Sequence, residues 1–230
     1  TELIQSAVSK FKSFGNKTIK IVGNYDADGI SGTSILVTAL KREGRKFSVE
    51  IIKQLNDEIL KEISIEPYEI VFFIDLGSGS LSKIEQYLQN KNVIILDHHH
   101  PEKYYEIKDN IVQVNPHLYK IDGSKFICAS GVTYLFAREL NLKNKNLAHL
   151  AVVGAIGDVQ EDNGFVGLNT EILEDAIQSN KIEVKQSVKM FGMQTKPIHK
   201  VLEYSTNPYI PGVTGSEAQA IKFLEDLEIE

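Results

Sequence analysis

The sequence predicts an α/β protein, a mostly parallel sheet flanked by helices, with a helical C-terminal portion. Three observations carry that prediction. Short, mainly apolar runs of strand length recur at Thr18 to Val22, Val49 to Ile52, Ile70 to Ile74, Val93 to Leu96 and Ile111 to Val114. Segments with helical spacing lie between several of these runs, and strand-helix-strand order favours parallel pairing through right-handed crossovers. Beyond about residue 160 the strand-like runs stop and helical spacing takes over.

Leu3, Ile4, Ala7, Val8 and Phe11 have the spacing of an amphipathic helix over 2–14, stopped by Gly15-Asn16. After the first strand, Ile30, Ile35, Leu36, Ala39 and Leu40 predict a helix ending before Gly44. Its start would carry Ser31, Gly32, Thr33 and Ser34, where unpaired backbone N–H groups suit a phosphate. Ile84, Tyr87 and Leu88 mark another helix between the third and fourth strands. Past the fifth strand, Asn115-Pro116-His117 and Asp122-Gly123-Ser124 precede a helix from Gly131 to Leu140. The next helix, Leu147 to Ile156, is apolar nearly all round and is expected at the centre of the core.

Asp162-Asn163-Gly164 reads as a turn. Ile172, Leu173, Ala176 and Ile177, then Val184, Val188 and Met190, suggest two shorter helices, and a last one runs from Ser216 to about Leu227. The expected organisation is a sheet domain over 1–160 and a helical extension over 161–230 packed on it.

Composition narrows the function classes. With 42% hydrophobic and 24% charged residues the chain has the make-up of a globular protein. A net charge of -6 excludes a generally basic nucleic-acid coat, so any contact with nucleic acid must be local. Cys128 is the single cysteine and cannot form an internal disulfide. No signal-peptide pattern opens the sequence, and no apolar run reaches the roughly 18 residues of a membrane span. Cytoplasmic residence with no membrane contact is the expectation.

Polar residues at the ends of the apolar elements point to the chemistry. The fourth strand runs into Asp97-His98-His99-His100, the first into Asn24-Tyr25-Asp26-Ala27-Asp28-Gly29, and the third into Asp75. The apolar helix ends at Asp158. Aspartate is disfavoured inside strands and helices, so four hydrophobic elements that each end in it suggest convergence on a cation site. Carboxylates with imidazoles suit Mn²⁺, whereas oxygen ligands alone would serve Mg²⁺. Two such ions about 3.5–4 Å apart can lower the pKa of a shared water and clamp an in-line phosphoryl displacement.

These residues resemble the motifs of the DHH phosphoesterases, a family that includes RecJ exonucleases, oligoribonucleases, cyclic-dinucleotide phosphodiesterases and family II pyrophosphatases. The ordered set is Asp26-x-Asp28-Gly29, Asp75, Asp97-His98-His99 and Asp158. The stretches Asn24 to Gly32, Ala129-Ser130-Gly131-Val132 and Gly154 to Gln160 look most like archaeal RecJ-like nucleases. The resemblance implies that Asp26 binds a first metal, Asp28 a second, and Asp75 bridges them, with His98 and Asp158 completing the second site. It implies that His99 faces the scissile phosphate and that Asp97 orients a neighbouring histidine. Ser31, Ser130 and Gly131 are expected to contact substrate phosphate through backbone amides. Relatives commonly carry His or Asp where this chain has Asn24, whose neutral amide oxygen is the weaker ligand.

The remaining candidates read more plainly. His100 is expected to face solvent or to stand behind the ligands, His117 to lie in a loop with a place near the site as the alternative, His149 in the core, His199 at the surface or in packing, and Cys128 as a buried small hydrophobe. Tyr25 is expected to pack beneath its loop, with stacking of a base as the alternative.

The function implied by the resemblance is a Mn²⁺-dependent, single-strand-specific exonuclease of DNA repair or replication, with two ions bound and Mg²⁺ as the substitute. RecJ-like enzymes carry a further C-terminal substrate-binding domain with a Gly-Gly-His motif, which is absent from these 230 residues. The alternatives are a scaffold partner of GINS and the helicase at the replication fork, with weak or no activity, and an oligoribonuclease.

Overall fold

The computed structural model describes residues 2–103, 108–161, 164–185, 190–193 and 195–229. The chain divides into two compact units, Thr1–Glu183 and Val184–Glu230.

Among the described residues the first unit holds one parallel sheet of β1 (Ile19–Asn24), β2 (Phe47–Ile52), β3 (Ile70–Ile74), β4 (Asn92–Leu96) and β5 (Ile111–Val114), in the order β2-β1-β3-β4-β5. The α/β prediction holds. β3 and β4 are apolar in nearly every position, and β1 is buried in all but its last, because both faces of the sheet are covered. Ile21, Phe72, Ile74, Ile94 and Leu96 face one core, and Val22, Val71, Phe73, Val93 and Ile95 face the other. The alternation follows the two-residue period of a strand.

The first face is covered by α1 (Glu2–Ser13), α2 (Ala27–Arg42) and α5 (Ala129–Leu140), with α6 (Ala148–Gly157) packed on α2 and α5 and α7 (Leu168–Gln178) beside α6. Phe11, Phe72 and Phe136 meet edge to face at centroid distances of 5.3–5.9 Å and tie α1, β3 and α5 together. The second face is covered by α3 (Asp57–Ile65) and α4 (Leu81–Leu88). α3 was not foreseen from the sequence. Asn56 caps it by accepting from the Ile59 N–H, and Leu60 and Ile63 anchor it in the second core.

The structure departs from the sequence reading in three further places. The division falls after Glu183 rather than at 160, because α7 inserts Ile172 and Ala176 into the core of the sheet unit. α6 is not central throughout: Ala151, Val152 and Ala155 are buried, but Val153 and Ile156 are about half exposed. Glycines and alanines let α2 and α5 approach α6, α7 packs beside it, and the stripe that carries Val153 and Ile156 stays open. Of the predicted segment Val184, Val188 and Met190, Val188 lies outside the described residues, and neither Val184 nor Met190 is helical. The Asp162 and Asn163 turn also lies outside them.

The second unit contains α8 (Ile198–Glu203) and α9 (Glu217–Asp226) around Leu202, Val213, Ala220 and Leu224. No described helix is long and apolar enough to cross a membrane.

Strand order positions the site. β1 pairs with β2 on one side and β3 on the other, so the connection from β1 to β2 and that from β3 to β4 run in opposite directions, the topology that opens a crevice at the carboxyl ends of β1 and β3. Register aligns Gly23 with Ile74 and Ile74 with Leu96. Asn24, Asp75 and Asp97, one residue farther along, therefore emerge side by side.

Candidate metal centre

Each predicted ligand is held by its own local structure. Asp26 caps α2, its Oδ1 accepting from the Gly29 N–H at 2.9 Å. Asp28, in the first turn of the same helix, is fully buried, and its two oxygens accept from the N–H groups of Ala129 at 2.7 Å and Ser130 at 2.9 Å. The N-terminus of α5 thus grips the Asp28 carboxylate, where the helix dipole favours negative charge. Gly154 on α6 makes room for this arrangement, since a Cβ there would collide with Ser130 Oγ and Asp28 Oδ1.

Asp75 stands at the end of β3 with φ +61°, a left-handed conformation that costs a non-glycine residue energy and clusters at functional positions. It is 1% exposed, and its Oδ1 has no hydrogen-bond partner of good geometry. His98 Nε2 lies 3.3 Å away and His99 Nδ1 3.6 Å. His98 Nε2 is also 3.2 Å from Asp158 Oδ2 and 3.9 Å from Asp28 Oδ2, while its Nδ1 meets the Gly123 carbonyl at 2.7 Å. A carbonyl can only accept, so Nδ1 carries the proton and Nε2 faces the carboxylates.

Asp97 is completely buried but does not face the cluster directly. Its Oδ1 accepts from the backbone N–H of His98 and from His99 Nδ1, both at 2.8 Å, and its Oδ2 accepts from the Ser78 N–H at 2.9 Å. Asn115, also buried, donates to Ser78 Oγ and to the His99 carbonyl. These bonds fix the backbone that presents both histidines.

Electrostatics follow from the crowding. Burial, reinforced by the charges of Asp28, Asp97 and Asp26, pushes Asp75 up to about 7 against a partial offset from His98. Burial and the Asp28 charge push Asp158 up to about 6. Burial works against a charged His98, but the Asp75 contact, the Gly123 carbonyl and the Asp28 charge outweigh it and raise the ring to about 10. Burial would raise Asp97, yet the bonds from His99 and Ser78 hold it down at about 2. So many carboxylates around one imidazole, with a buried Asp75 oxygen that makes no hydrogen bond of good geometry, have the donor chemistry of a divalent-cation site. Asp75, His98 and His99 form one set of atoms close enough to share an ion, and Asp28, His98 and Asp158 form another.

Asn24 turns its amide nitrogen toward this cluster, Nδ2 lying 2.8 Å from Asp26 Oδ2 and 3.1 Å from Asp75 Oδ2. Its Oδ1 accepts from the Tyr25 N–H. The side chain bridges two carboxylates as a donor, a different part from the oxygen ligand considered from the sequence.

The substrate-contact expectations fare differently. α2 begins at Ala27, so Ser31 lies inside the helix and is buried, and its amide falls within the helical ladder rather than at the free end. Ser130 is fully buried with its N–H occupied by Asp28, and Gly131 faces Ile127 and Ile172. None of the three presents a free amide at the surface. Tyr25, by contrast, does not pack beneath its loop: it is 54% exposed, with Lys53 Nζ 5.9 Å from its ring centroid. A cleft of about 290 Å³ lined by Asn24, Lys53, Asp75, Leu76, Gly77 and His99 adjoins it. Sequence reasoning gave no role to Lys53, Gly123, Asn115 or Asn169, which reach the site region only through the fold.

Among the other candidates, His100 stacks on His117 at 4.2 Å, and His149 is partly exposed at the start of α6 rather than in the core. His199 pairs with Glu217. Cys128 is buried against Ser130 Oγ at 3.1 Å, and burial and the Asp28 charge push its thiol up, which makes it inert.

Comparison with known proteins finds relatives over most of the chain. An uncharacterized protein, MJ0831 of Methanocaldococcus jannaschii, is 37% identical over 216 residues, covering 92% of this chain and 48% of that protein. The single-stranded-DNA-specific exonuclease RecJ of Bacillus subtilis is 26% identical over 206 residues, covering 82% of this chain and 24% of the relative. The chain thus spans about half the length of one and a quarter of the other. The crystal structure of RecJ from Thermus thermophilus in complex with Mn²⁺ superposes with a TM-score of 0.62 at 26% identity, over 76% of this chain and 26% of that one. Residues 190–230 match the model of the DHH-CID domain. Residues 18–155 match the N-terminal domain model of the DHH family, and with the carboxylates and histidines of that span gathered at one crevice, the chain belongs to the DHH family.

Proposed function

We propose that this chain is the catalytic part of a Mn²⁺-dependent phosphodiester hydrolase, a RecJ-like exonuclease that degrades single-stranded DNA in cytoplasmic repair or replication. The observation that carries the reading is the convergence of Asp26, Asp28, Asp75, His98 and Asp158 on a crevice where the buried Asp75 Oδ1 has no hydrogen bond of good geometry. Asp28, His98 and Asp158 would hold one ion and Asp26 a second, with Asp75 available to both. Two bound Mn²⁺ ions, replaceable by Mg²⁺, would supply Lewis-acid activation of a phosphodiester and of the attacking water.

The residues of the chain do the positioning. The α5 amides hold the Asp28 carboxylate, and the Gly123 carbonyl sets the tautomer of His98. Asp97 holds His99 by its Nδ1, leaving the ring's other nitrogen for the scissile phosphate or the leaving oxygen. Tyr25 and Lys53, beside the adjoining cleft, supply a stacking surface and a cation for a single strand. That local pair answers the acidic net charge of the chain.

The test compares hydrolysis of a 5′-labelled single strand of DNA, its duplex, and a short oligoribonucleotide, with Mn²⁺ or Mg²⁺, for the parent and Asp75→Ala. Mn²⁺-dependent loss of the single strand, abolished by Asp75→Ala, is expected. Preference for the short RNA would move the assignment to an oligoribonuclease. Specific Mn²⁺ binding without hydrolysis would favour the second reading, a replication scaffold that binds GINS or the helicase, for which the amide donor at Asn24 is the supporting observation.

A further inference from the structure

His98 is backed by a buried relay that leads away from the carboxylates. The Gly123 carbonyl accepts from His98 Nδ1 at 2.7 Å and also from Gln160 Nε2 at 2.9 Å, one donor for each lone pair. Gln160 Oε1 in turn accepts from Asn169 Nδ2 at 2.7 Å, and the Asn169 backbone N–H is fixed on the Phe126 carbonyl at 3.1 Å. Gln160 and Asn169 are 5% and 3% exposed. Their amide orientations are dictated by the chain of bonds, because turning either would set two oxygens face to face.

The backbone is shaped to build this relay. α6 ends with the Gln160 N–H on the Ala155 carbonyl and the Val159 N–H on that of Ile156, a Schellman closure. Val159 takes the left-handed position with φ +56°, where glycine is the usual choice. This turn sends Asp158 to the Nε2 side of His98 and Gln160 to the Gly123 carbonyl behind the ring. A Cβ on Gly123 would strike the His98 carbonyl, so only glycine lets this loop come so close.

We propose that Gln160 and Asn169 are positioning residues of the metal centre, holding the Gly123 carbonyl so that the His98 imidazole presents Nε2 to the cation. The inference rests on the reading of His98 as a metal ligand. Partners of this kind, placed behind a ligating imidazole, commonly change metal affinity by roughly 10- to 100-fold when removed. The relay also links the start of α7 to the crevice, so the packing of that helix reaches the ligand.

The experiment is a Mn²⁺ titration by calorimetry of the parent, Gln160→Met, Asn169→Ala and the double variant, with melting temperatures and the visible spectrum of each Co²⁺-loaded protein. The Co²⁺ ligand field reports ring placement independently of activity. Each single variant is expected to bind Mn²⁺ roughly tenfold or more weakly with an altered Co²⁺ spectrum. The double variant should lose little beyond Gln160→Met alone, because Asn169 acts through Gln160. Should Gln160→Met fail to fold, Asn169→Ala against the parent carries the same comparison. Parent binding with unchanged affinity and spectrum in the folded variants would overturn the relay. Absence of Mn²⁺ binding by the parent would overturn the ligand role of His98 itself, and the inference with it.

Discussion

His98 Nε2 stands 3.2 Å from Asp158 Oδ2, a pair drawn from the loop after β4 and the end of α6, 60 positions apart in sequence. The contact can exist in two forms: an imidazolium shared among carboxylates, or a neutral ring with a cation between the partners. His98, pushed up to about 10, adopts the first form in the metal-free protein at neutral pH. Mn²⁺ binding at about pH 7 should therefore release at least one proton. Calorimetry in buffers of different ionisation enthalpy reads that release directly, and a buffer-independent heat would contradict the protonated resting state.

Asp75→Asn should stabilise the metal-free fold while abolishing tight Mn²⁺ binding. Asp75 is raised from 3.8 to about 7, so the folded state binds its proton more tightly than the unfolded chain. The cost of ionising it in the fold is absent below about pH 4 and grows as pH rises through about 7. The advantage of Asp75→Asn in urea unfolding is thus largest at pH 8 and vanishes near pH 4. An advantage that grows toward acid pH would reverse the sign and refute the assignment.

Asp97→Asn should act in the opposite sense. Asp97 is held at about 2, so its ionised form contributes stability that is present above 3.8 and lost as pH falls toward 2. Removing a buried charge that accepts several hydrogen bonds should cost about 1–3 kcal/mol at neutral pH. Turnover should fall further than Mn²⁺ affinity, because Asp97 orients His99 rather than facing the Asp28 side of the centre.

Val159→Gly should raise stability. Val159 is 67% exposed and carries a left-handed φ, so glycine there loses little packing and relieves strain of roughly 1–2 kcal/mol. A urea midpoint below that of the parent would show that the branched side chain is required at this turn.

Tyr25→Ala should raise the KM for single-stranded DNA by an amount equivalent to about 1–3 kcal/mol, the usual worth of one stacked base. Mn²⁺ affinity should be unchanged, since the ring is exposed and lies against Lys53. An unchanged KM would remove Tyr25 from the substrate path.

The sequence by itself determined the α/β class, the five strands, and the Asp and His residues at the ends of β1, β3, β4 and α6. Those features are local: strand runs buried on two sides must be apolar, and polar residues that interrupt them mark the ends. The helix α3 has no clear signature because it is short, nine residues in which four charged positions interleave with four apolar ones. Tertiary structure alone decided which backbone amides remained free. Ser31, Ser130 and Gly131 sit where a sequence pattern suggests a phosphate, yet α2 starts four residues before Ser31, and α5 turns its amides on Asp28 from 101 and 102 positions away. The ring of His98 is likewise set by Gly123, Gln160 and Asn169, residues with no spacing relative to the Asp-His-His stretch. Periodicity records burial along one element. A hydrogen bond between elements depends on how their backbones pack in three dimensions, and it leaves no period in the chain.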